Sequence, residues 1–216
     1  MNQAIIAGGT GLVGKAVIHR LQNDAYFDQV VVLNRRQIGY ESDKIQERIV
    51  DFDHIDSFIK ELKPTHAFCC LGTTIKVAGS KENFRKVDYQ YVLNFAQAVK
   101  RLGCENFSVI TALGTNSSSL IFYNQVKYEL SIALENLYFD RLNILQPSLL
   151  LGDRSESRLG EDISKKIFEA TTFLWKGPLK NYKGIQAKQV AKAMVTIAKE
   201  TEKGVFRFPS GKLQDY

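Results

Sequence analysis

The amino-acid sequence predicts an α/β fold, a doubly wound parallel sheet with helices on both faces. Short apolar runs typical of buried strands alternate along the chain with segments of helical periodicity. Several of these runs are apolar at every position, as the interior strands of a parallel sheet are. A glycine-rich turn joins the first run to the first helical segment. Together these three observations favour a sheet whose strands are connected by crossover helices.

The predicted elements follow in order. The first strand is Ala4–Ala7 and the second is Val30–Leu33, and the helix between them presents an apolar face at Leu12, Ala16, Val17 and Leu21. The further elements are strands at 47–52 and 65–72, a helix at 55–62 between them, helices at 81–101, 123–137 and 187–200, and strands at 106–113 and within 141–152. The whole chain, 1–216, is predicted to be one domain, in which residues from about 152 to 216 contribute a small cap region beside the sheet.

The segment AGGTGLVG lies at the junction of the first strand and the first helix. Gly8, Gly11 and Gly14 have the spacing G-x-x-G-x-x-G, which allows a tight turn, close approach of the backbone to a pyrophosphate and close packing of helix on strand. The helix N-terminus adds unpaired N–H groups and the positive end of its dipole. This context predicts a dinucleotide-binding loop in a Rossmann-type fold, and a simple strand-to-helix turn is the alternative.

Two arginines, Arg35 and Arg36, follow the second strand about 20 residues beyond the last glycine. A site selective for NAD usually has an acidic residue here, which bonds the ribose 2′-hydroxyl. A guanidinium instead fits a 2′-phosphate, so the pair predicts NADP(H) as the cofactor. The alternative is a solvated strand end that happens to be charged.

Two other strand ends carry candidate ligand contacts, because ligands of such sheets bind at the carboxyl ends of the strands. Gly72 follows the fourth strand and would let the backbone touch the cofactor, unless it belongs to an ordinary loop. Asp51 ends the third strand. It either bonds the adenine amino group or caps the turn before the next helix.

Tyr123 and Lys127 are four residues apart in a predicted helix and therefore share one face of it. An ammonium near a phenol favours the phenolate, which suits proton exchange with a substrate hydroxyl or carbonyl. The lysine can also bond a nicotinamide ribose. This spacing is common by coincidence, and its position after the predicted fifth strand is what favours a catalytic role.

Composition limits the other classes of function. With 44% hydrophobic and 24% charged residues, the chain is typical of a soluble globular protein. No apolar segment approaches a membrane span and no secretory signal is recognised, so a cytoplasmic protein without membrane association is expected. The cysteines lack zinc-site spacing, and no metal site is predicted. The net charge of +6, most of it beyond residue 150, is interpreted as a solvated lysine face rather than an anion or nucleic-acid site.

The glycine loop, the paired arginines and the Y-x-x-x-K helix together resemble the short-chain dehydrogenase/reductase superfamily, in its atypical branch. The segments FCCLGTT, KVDYQYV, FYNQVKYELS, LYFDRLNILQPS and LLLGDRSESRLGE are similar to the Tat-interactive protein family of oxidoreductases, over nearly the whole chain. This resemblance implies NADPH bound to a seven-stranded sheet, with Tyr123 as proton donor or acceptor and Lys127 as its partner. It also implies cofactor contacts from Thr10, Gly11, Leu12, Val13, Arg35, Arg36, Leu71, Gly72, Leu150 and Arg158.

The superfamily usually places a hydroxyl at the end of the fifth strand, where it orients the substrate carbonyl. Thr111 is the best candidate for it, whereas Ala112 stands where a second hydroxyl is expected. Gln146 replaces an arginine that many extended members carry before the proline, which disfavours sugar-nucleotide chemistry. The sequence therefore predicts an NADPH-dependent oxidoreductase acting on a small carbonyl or alcohol. The alternatives are a non-catalytic NADPH-binding regulator with a protein partner, and a nucleotide-sugar epimerase or dehydratase.

Overall fold

The structure is a computed structural model that describes residues 1–115, 119, 121–152, 181 and 183–216. Its strands are β1 (Gln3–Ala7), β2 (Gln29–Asn34), β3 (Ile45–Ile49), β4 (His66–Cys69), β5 (Asn106–Ile110), β6 (Arg141–Gln146), β7 (Leu150–Leu151), β8 (Ile185–Gln186) and β9 (Gly204–Pro209). Seven of them form one sheet in the order β3-β2-β1-β4-β5-β6-β9, and β7 pairs with β8. Every pairing in both sheets is parallel.

The described helices are α1 (Leu12–Asn23), α2 (Asp56–Ile59), α3 (Ile75–Ala78), α4 (Lys81–Arg85), α5 (Tyr91–Arg101), α6 (Phe122–Glu135), α7 (Ala187–Ile197) and α8 (Ser210–Leu213). A π-helical turn, Lys86–Gln90, joins α4 to α5, so the predicted helix at 81–101 is continuous but locally wider. None of the described helices is both long enough and apolar enough to cross a membrane.

The strand order confirms the predicted fold class. It is the order of dinucleotide-binding doubly wound sheets, extended by one strand, and it reverses direction between β1 and β4. A crevice for a ligand forms at such a reversal, beyond the carboxyl ends of the strands.

Side chains of β1 show how the sheet is buried on both faces. Ile5 packs into a core shared with α5 and α6, whereas Ile6 points to the opposite face and packs into a core shared with α1 and α7. Both are fully buried. Because successive residues of a strand point to opposite faces, burial on both sides favours a continuous apolar run, and the run Ala4–Ala7 made β1 recognisable in the sequence.

The structure corrects the assignment of the C-terminal segment. Helix α7 packs in the core beside α1, and β9 pairs with β6 as the seventh strand of the sheet, so both belong to the main fold instead of forming a cap. Strand β9 was not predicted from the sequence because it is an edge strand with one side in solvent. Val205 and Arg207 are exposed, so the run is not continuously apolar. Residues 153–180 of the predicted cap lie outside the described residues.

His66, at the start of β4, gives the fold an acid sensitivity. Burial lowers the pKa of His66 from 6.5 to about 4, although a hydrogen bond with the backbone of Ala198 opposes this effect. In the unfolded chain the imidazole binds its proton near pH 6.5, so this residue reduces stability as pH falls from about 6.5 to about 4. When pH has fallen below both pKa values, the burial of His66 has lowered the free energy of unfolding by about 3 kcal/mol.

We therefore expect His66→Phe to lose less free energy of unfolding than the parent protein between pH 7 and pH 4. Urea denaturation at a series of pH values measures this difference. His19→Phe, which alters an exposed histidine, is the matched control. If the two proteins lost stability in parallel, burial of His66 would not be the cause.

Candidate functional site

A cleft of about 530 Å³ lies at the carboxyl ends of the central strands. It is lined by Gly8, Thr10 and Gly11 after β1, by Arg35 after β2, and by Cys70, Leu71, Gly72 and Thr73 after β4. These segments meet where the strand order reverses, which is where ligands of this fold bind. A larger cavity of about 1230 Å³ lies between α1 and α7. Its lining contains none of these strand-end residues, so the smaller cleft is the candidate site.

The three glycines of the motif have different roles. Gly8 has a φ of +87°, and a Cβ there would lie 2.4 Å from the carbonyl carbon of Cys70. A Cβ at Gly14 would lie 2.1 Å from the carbonyl oxygen of Gly8. At Gly11 φ is −74°, and the nearest atom to a Cβ would be 3.4 Å away. Gly8 and Gly14 are therefore required by the fold itself, whereas Gly11 leaves open space that faces the cleft.

The N-terminus of α1 is available to an anion. Gly11 is its N-cap and provides no side-chain cap, and the first turn has no acidic residue. The first N–H groups of a helix have no partner within it, so they can donate to a ligand. Val13 and Gly14 are buried, which leaves only their backbones to contribute. The side chain of Leu12 lines the larger cavity instead.

The two arginines differ in position. Both are exposed, but Arg35 lines the cleft and Arg36 is not among the residues that line it. Within the described part of the chain neither arginine forms an ion pair. A free guanidinium in the cleft is available to a phosphate.

Glu47, on β3, fixes the loop that carries these arginines. Its carboxylate accepts hydrogen bonds from Asn34 Nδ2 at 2.7 Å and from the backbone N–H groups of Ile38 and Gly39 at 2.9 Å. Burial raises the pKa of Glu47, but these bonds outweigh it and the pKa is lowered. Sequence reasoning missed this residue, and an acidic side chain inside a predicted strand was the available signal.

The contacts predicted at the next two strand ends are partly brought together. Leu71 and Gly72, for which the resemblance implies cofactor contacts, line the cleft. Asp51 is exposed and does not line it, and its Oδ1 accepts a hydrogen bond from the Asp53 N–H at 2.9 Å. That geometry matches the turn-capping alternative. Phe52 lines the cleft in its place.

Tyr123 and Lys127 both lie on α6. Tyr123 is half-buried, and its ring centroid is 5.4 Å from that of Phe84 on α4. Lys127 is only 2% exposed, and its Nζ lies 2.7 Å from Oδ1 of Asp88 in the π-helical turn. The Asp88 Oδ2 accepts a hydrogen bond from the Thr73 N–H at 2.8 Å. A buried ion pair thus links α6 to the loop that lines the cleft.

The charge of Lys127 is maintained by its surroundings. Burial lowers the pKa of Lys127, but the charge of the Asp88 carboxylate, followed by the electrostatic interaction with Tyr123, raises it above its ordinary value. Asp88 was not singled out from the sequence, because it lies inside a segment of regular helical periodicity. Only the π-helical turn shows that this carboxylate is buried and paired.

The structure places Thr111 differently from the prediction. Its side chain is only 4% exposed, and its hydroxyl donates to the carbonyl oxygen of Leu145 at 3.2 Å. The hydroxyl therefore extends the pairing of β5 with β6 and is not presented to a substrate. Thr115 and Gln146 are half-buried polar residues nearby, and Gln146 Nε2 donates to Thr115 Oγ1 at 3.2 Å. Gln146 ends β6 and was considered in the sequence only for the arginine it replaces, whereas Thr115, in the loop after β5, was not singled out.

The family resemblance implies cofactor contacts from two further residues, Leu150 and Arg158, and the structure places neither of them in the cleft. Leu150 lies in β7 and packs against the core that contains α1 and α7. Arg158 lies outside the described residues. Among the residues that the structure describes, no group of three or more His, Cys, Asp or Glu side chains is arranged to hold a metal ion.

The chain is similar to a known protein family and to several known proteins. The model of the NAD dependent epimerase/dehydratase family matches residues 4–118. The chain is 35% identical over 174 residues to Protein HTATIP2 of Rattus norvegicus, which covers 79% of this chain and 72% of that protein. It is 32% identical over 218 residues to Protein FMP52, mitochondrial, of Lodderomyces elongisporus, which covers 95% and 90%.

Solved structures show the same fold. MoeE5 in complex with UDP-glucose and NAD has a TM-score of 0.72 at 13% identity, over 96% of this chain and 76% of that one. A short chain dehydrogenase family protein from Francisella tularensis has a TM-score of 0.68 at 13% identity, over 98% of both chains. At such identities the likeness concerns the fold alone.

The names of the fungal relatives correct the expected location. The sequence predicts a cytoplasmic protein, whereas several FMP52 proteins are named mitochondrial, including those of Lodderomyces elongisporus and Candida albicans. The cytoplasmic prediction rested on failing to recognise a signal, and such a failure carries little weight against the names of related proteins.

Proposed function

Because the chain belongs to the NAD-dependent epimerase/dehydratase family, we propose that it is an NADP(H)-dependent oxidoreductase acting on a small carbonyl or alcohol substrate. The resemblance to atypical short-chain dehydrogenase/reductases is confirmed by the family match and by the identity with HTATIP2. One observation carries the proposal. The loop lining the cleft is tied through Asp88 to Lys127, one helical turn from Tyr123.

The residues around the cleft fit a phosphorylated dinucleotide. Gly11 leaves space beside the free N-terminus of α1, where a pyrophosphate would accept backbone hydrogen bonds. Arg35 lines the cleft at the end of β2, and its guanidinium, which has no ion-pair partner among the described residues, is offered to a 2′-phosphate. When bound, NADPH supplies a hydride for the carbonyl carbon of a substrate.

The chain's own residues would handle the proton. Tyr123 is proposed to donate its hydroxyl proton to the substrate oxygen during reduction and to accept one during oxidation. The Lys127 ammonium would stabilise the phenolate that is left, because an opposite charge nearby favours the ionised form. Asp88 holds that ammonium in place through the ion pair of 2.7 Å.

A second candidate, an NADPH-binding regulatory protein without turnover, is favoured by Thr111. Its hydroxyl is bound to the Leu145 carbonyl, and Ala112 has no hydroxyl to replace it. Steady-state turnover of NADPH with a panel of aldehydes and ketones, and of NADP⁺ with the corresponding alcohols, measured beside cofactor titration, separates the two. Turnover supports the oxidoreductase, and binding without turnover supports the regulator. Titration with UDP-glucose tests the epimerase alternative.

The cofactor preference gives a prediction in which the two arginines differ. We expect NADPH to bind at least about tenfold more tightly than NADH, which corresponds to about 1.4 kcal/mol. Arg35→Ala should remove most of this preference without changing NADH affinity, because Arg35 lines the cleft. Arg36→Ala makes the same change of charge outside the cleft lining and should have a smaller effect. Calorimetry with both cofactors tests this, and equal affinities in the parent protein would contradict it.

A further inference from the structure

We propose that Asp88 is a positioning residue that keeps Lys127 charged and fixed inside the protein. The inference rests on the proposed function, because it matters for catalysis only if Lys127 serves a cofactor and Tyr123. Asp88 and Lys127 come from different elements, the π-helical turn and α6, and meet across 2.7 Å.

Burial of the pair makes Asp88 necessary. The side chains of Lys127 and Asp88 are only 3% and 1% exposed. An amine removed from water and left without a counter-charge tends to lose its proton, because desolvation penalises its charged form. Lys127 instead has a raised pKa, and the Asp88 carboxylate is the largest contribution in that direction.

The other titratable groups that act on Lys127 do not replace this carboxylate. Among the described residues they are Tyr123, one turn earlier on α6, and Cys69, at the end of β4. Burial raises the pKa of Cys69 to about 12, so its thiol is neutral at physiological pH. Asp88 is therefore the counter-ion of Lys127 within the described part of the chain.

Asp88 also transmits this arrangement to the cleft. Its second oxygen accepts the Thr73 N–H at 2.8 Å, and a Cβ added at Gly72 would lie 3.5 Å from Oδ1. Both residues line the cleft. One carboxylate thus sets the position of the lysine relative to the backbone that a cofactor would touch.

Asp88→Asn is the direct test, because the amide keeps an oxygen for the Thr73 N–H and removes the charge. We expect Lys127 to lose its proton in this variant at a pH lower by about one unit or more. The Cε resonance of Lys127, in protein labelled with ¹³C-lysine, follows this titration and is assigned by its absence in Lys127→Arg. Asp56→Asn, which removes an exposed carboxylate paired with Arg101, is the matched control and should leave the resonance unchanged.

NADPH affinity as a function of pH is the second readout. In Asp88→Asn we expect affinity to fall at least about tenfold as pH rises through the lowered Lys127 titration, while the parent protein keeps its affinity over the same range. If NADPH affinity fell equally at every pH while the lysine titration stayed unchanged, Asp88 would have a merely structural role and the proposal would be overturned. If the parent protein binds no NADPH, the proposed function fails, and the lysine titration still decides the role of Asp88.

A double variant tests the proposal if Asp88→Asn alone does not fold. Asp88→Asn combined with Lys127→Gln removes both charges, so no unpaired ion is buried. We expect this double variant to fold even if the single one does not, as circular dichroism would show. If the double variant also failed to fold, packing rather than charge pairing would explain Asp88, and the proposal would be overturned.

Discussion

Gly11→Val is expected to abolish NADPH binding while the protein stays folded. The backbone at Gly11 has φ −74° and ψ 165°, which suits a β-branched residue, and a Cβ would approach no atom closer than 3.4 Å. Valine is a poorer N-cap than glycine, so we expect a loss of stability of about 1 kcal/mol or less. Its side chain would fill the space in which a pyrophosphate approaches the helix. We expect the Kd for NADPH to rise at least about 100-fold, equivalent to about 2.7 kcal/mol.

Calorimetry and thermal unfolding of the same samples measure both parts of this prediction. Gly11→Ala adds only the Cβ and should have an intermediate effect on binding. Gly14→Ala is the contrasting variant, because its Cβ would lie 2.1 Å from the Gly8 carbonyl oxygen, so it should lower thermal stability strongly. If Gly11→Val bound NADPH as the parent protein does, the motif would serve only as a turn.

The fold was predictable where local pattern and burial agree. The runs Ala4–Ala7 of β1 and Val30–Leu33 of β2 are buried on both faces and apolar at every position, and α1 has a clear apolar stripe at Val13, Val17 and Leu21. Strand β9 was missed because an edge strand alternates between solvent and core. Its place beside β6 is set by long-range pairing, which no local pattern reveals.

The sequence motifs predicted several residues that line the cleft, whereas the partners that hold the motif residues in place could not be predicted. The cleft brings together Gly11, Arg35 and Gly72 as expected, because strand ends of a parallel sheet converge. Asp88 and Glu47 escaped notice because their importance depends on what they face in three dimensions. Thr111 was placed at the correct strand end, but its hydroxyl bonds the neighbouring strand.

The ion pair changes how a lysine variant can be interpreted. Lys127→Ala would leave Asp88 buried without a counter-charge, and breaking a buried pair in this way typically costs about 3–5 kcal/mol. Loss of activity in that variant would therefore not distinguish a catalytic role from simple destabilisation. Tyr123 offers the cleaner test, because within the described residues no hydrogen bond to its hydroxyl is found, and its contact with Phe84 is made by the ring.

Tyr123→Phe is expected to reduce turnover by roughly 10²–10⁴-fold while NADPH binding is retained. The substitution removes the proposed proton donor and keeps the ring against Phe84, so the fold of α6 should not change. Steady-state kinetics on any substrate found in the carbonyl panel, beside cofactor titration, measures the two effects separately. Tyr128→Phe makes the same change on the same helix, at a half-buried residue without an assigned role, and should leave turnover unaffected. Unchanged turnover in Tyr123→Phe would remove Tyr123 from the mechanism, because no other step proposed for this chain transfers the proton to the substrate oxygen.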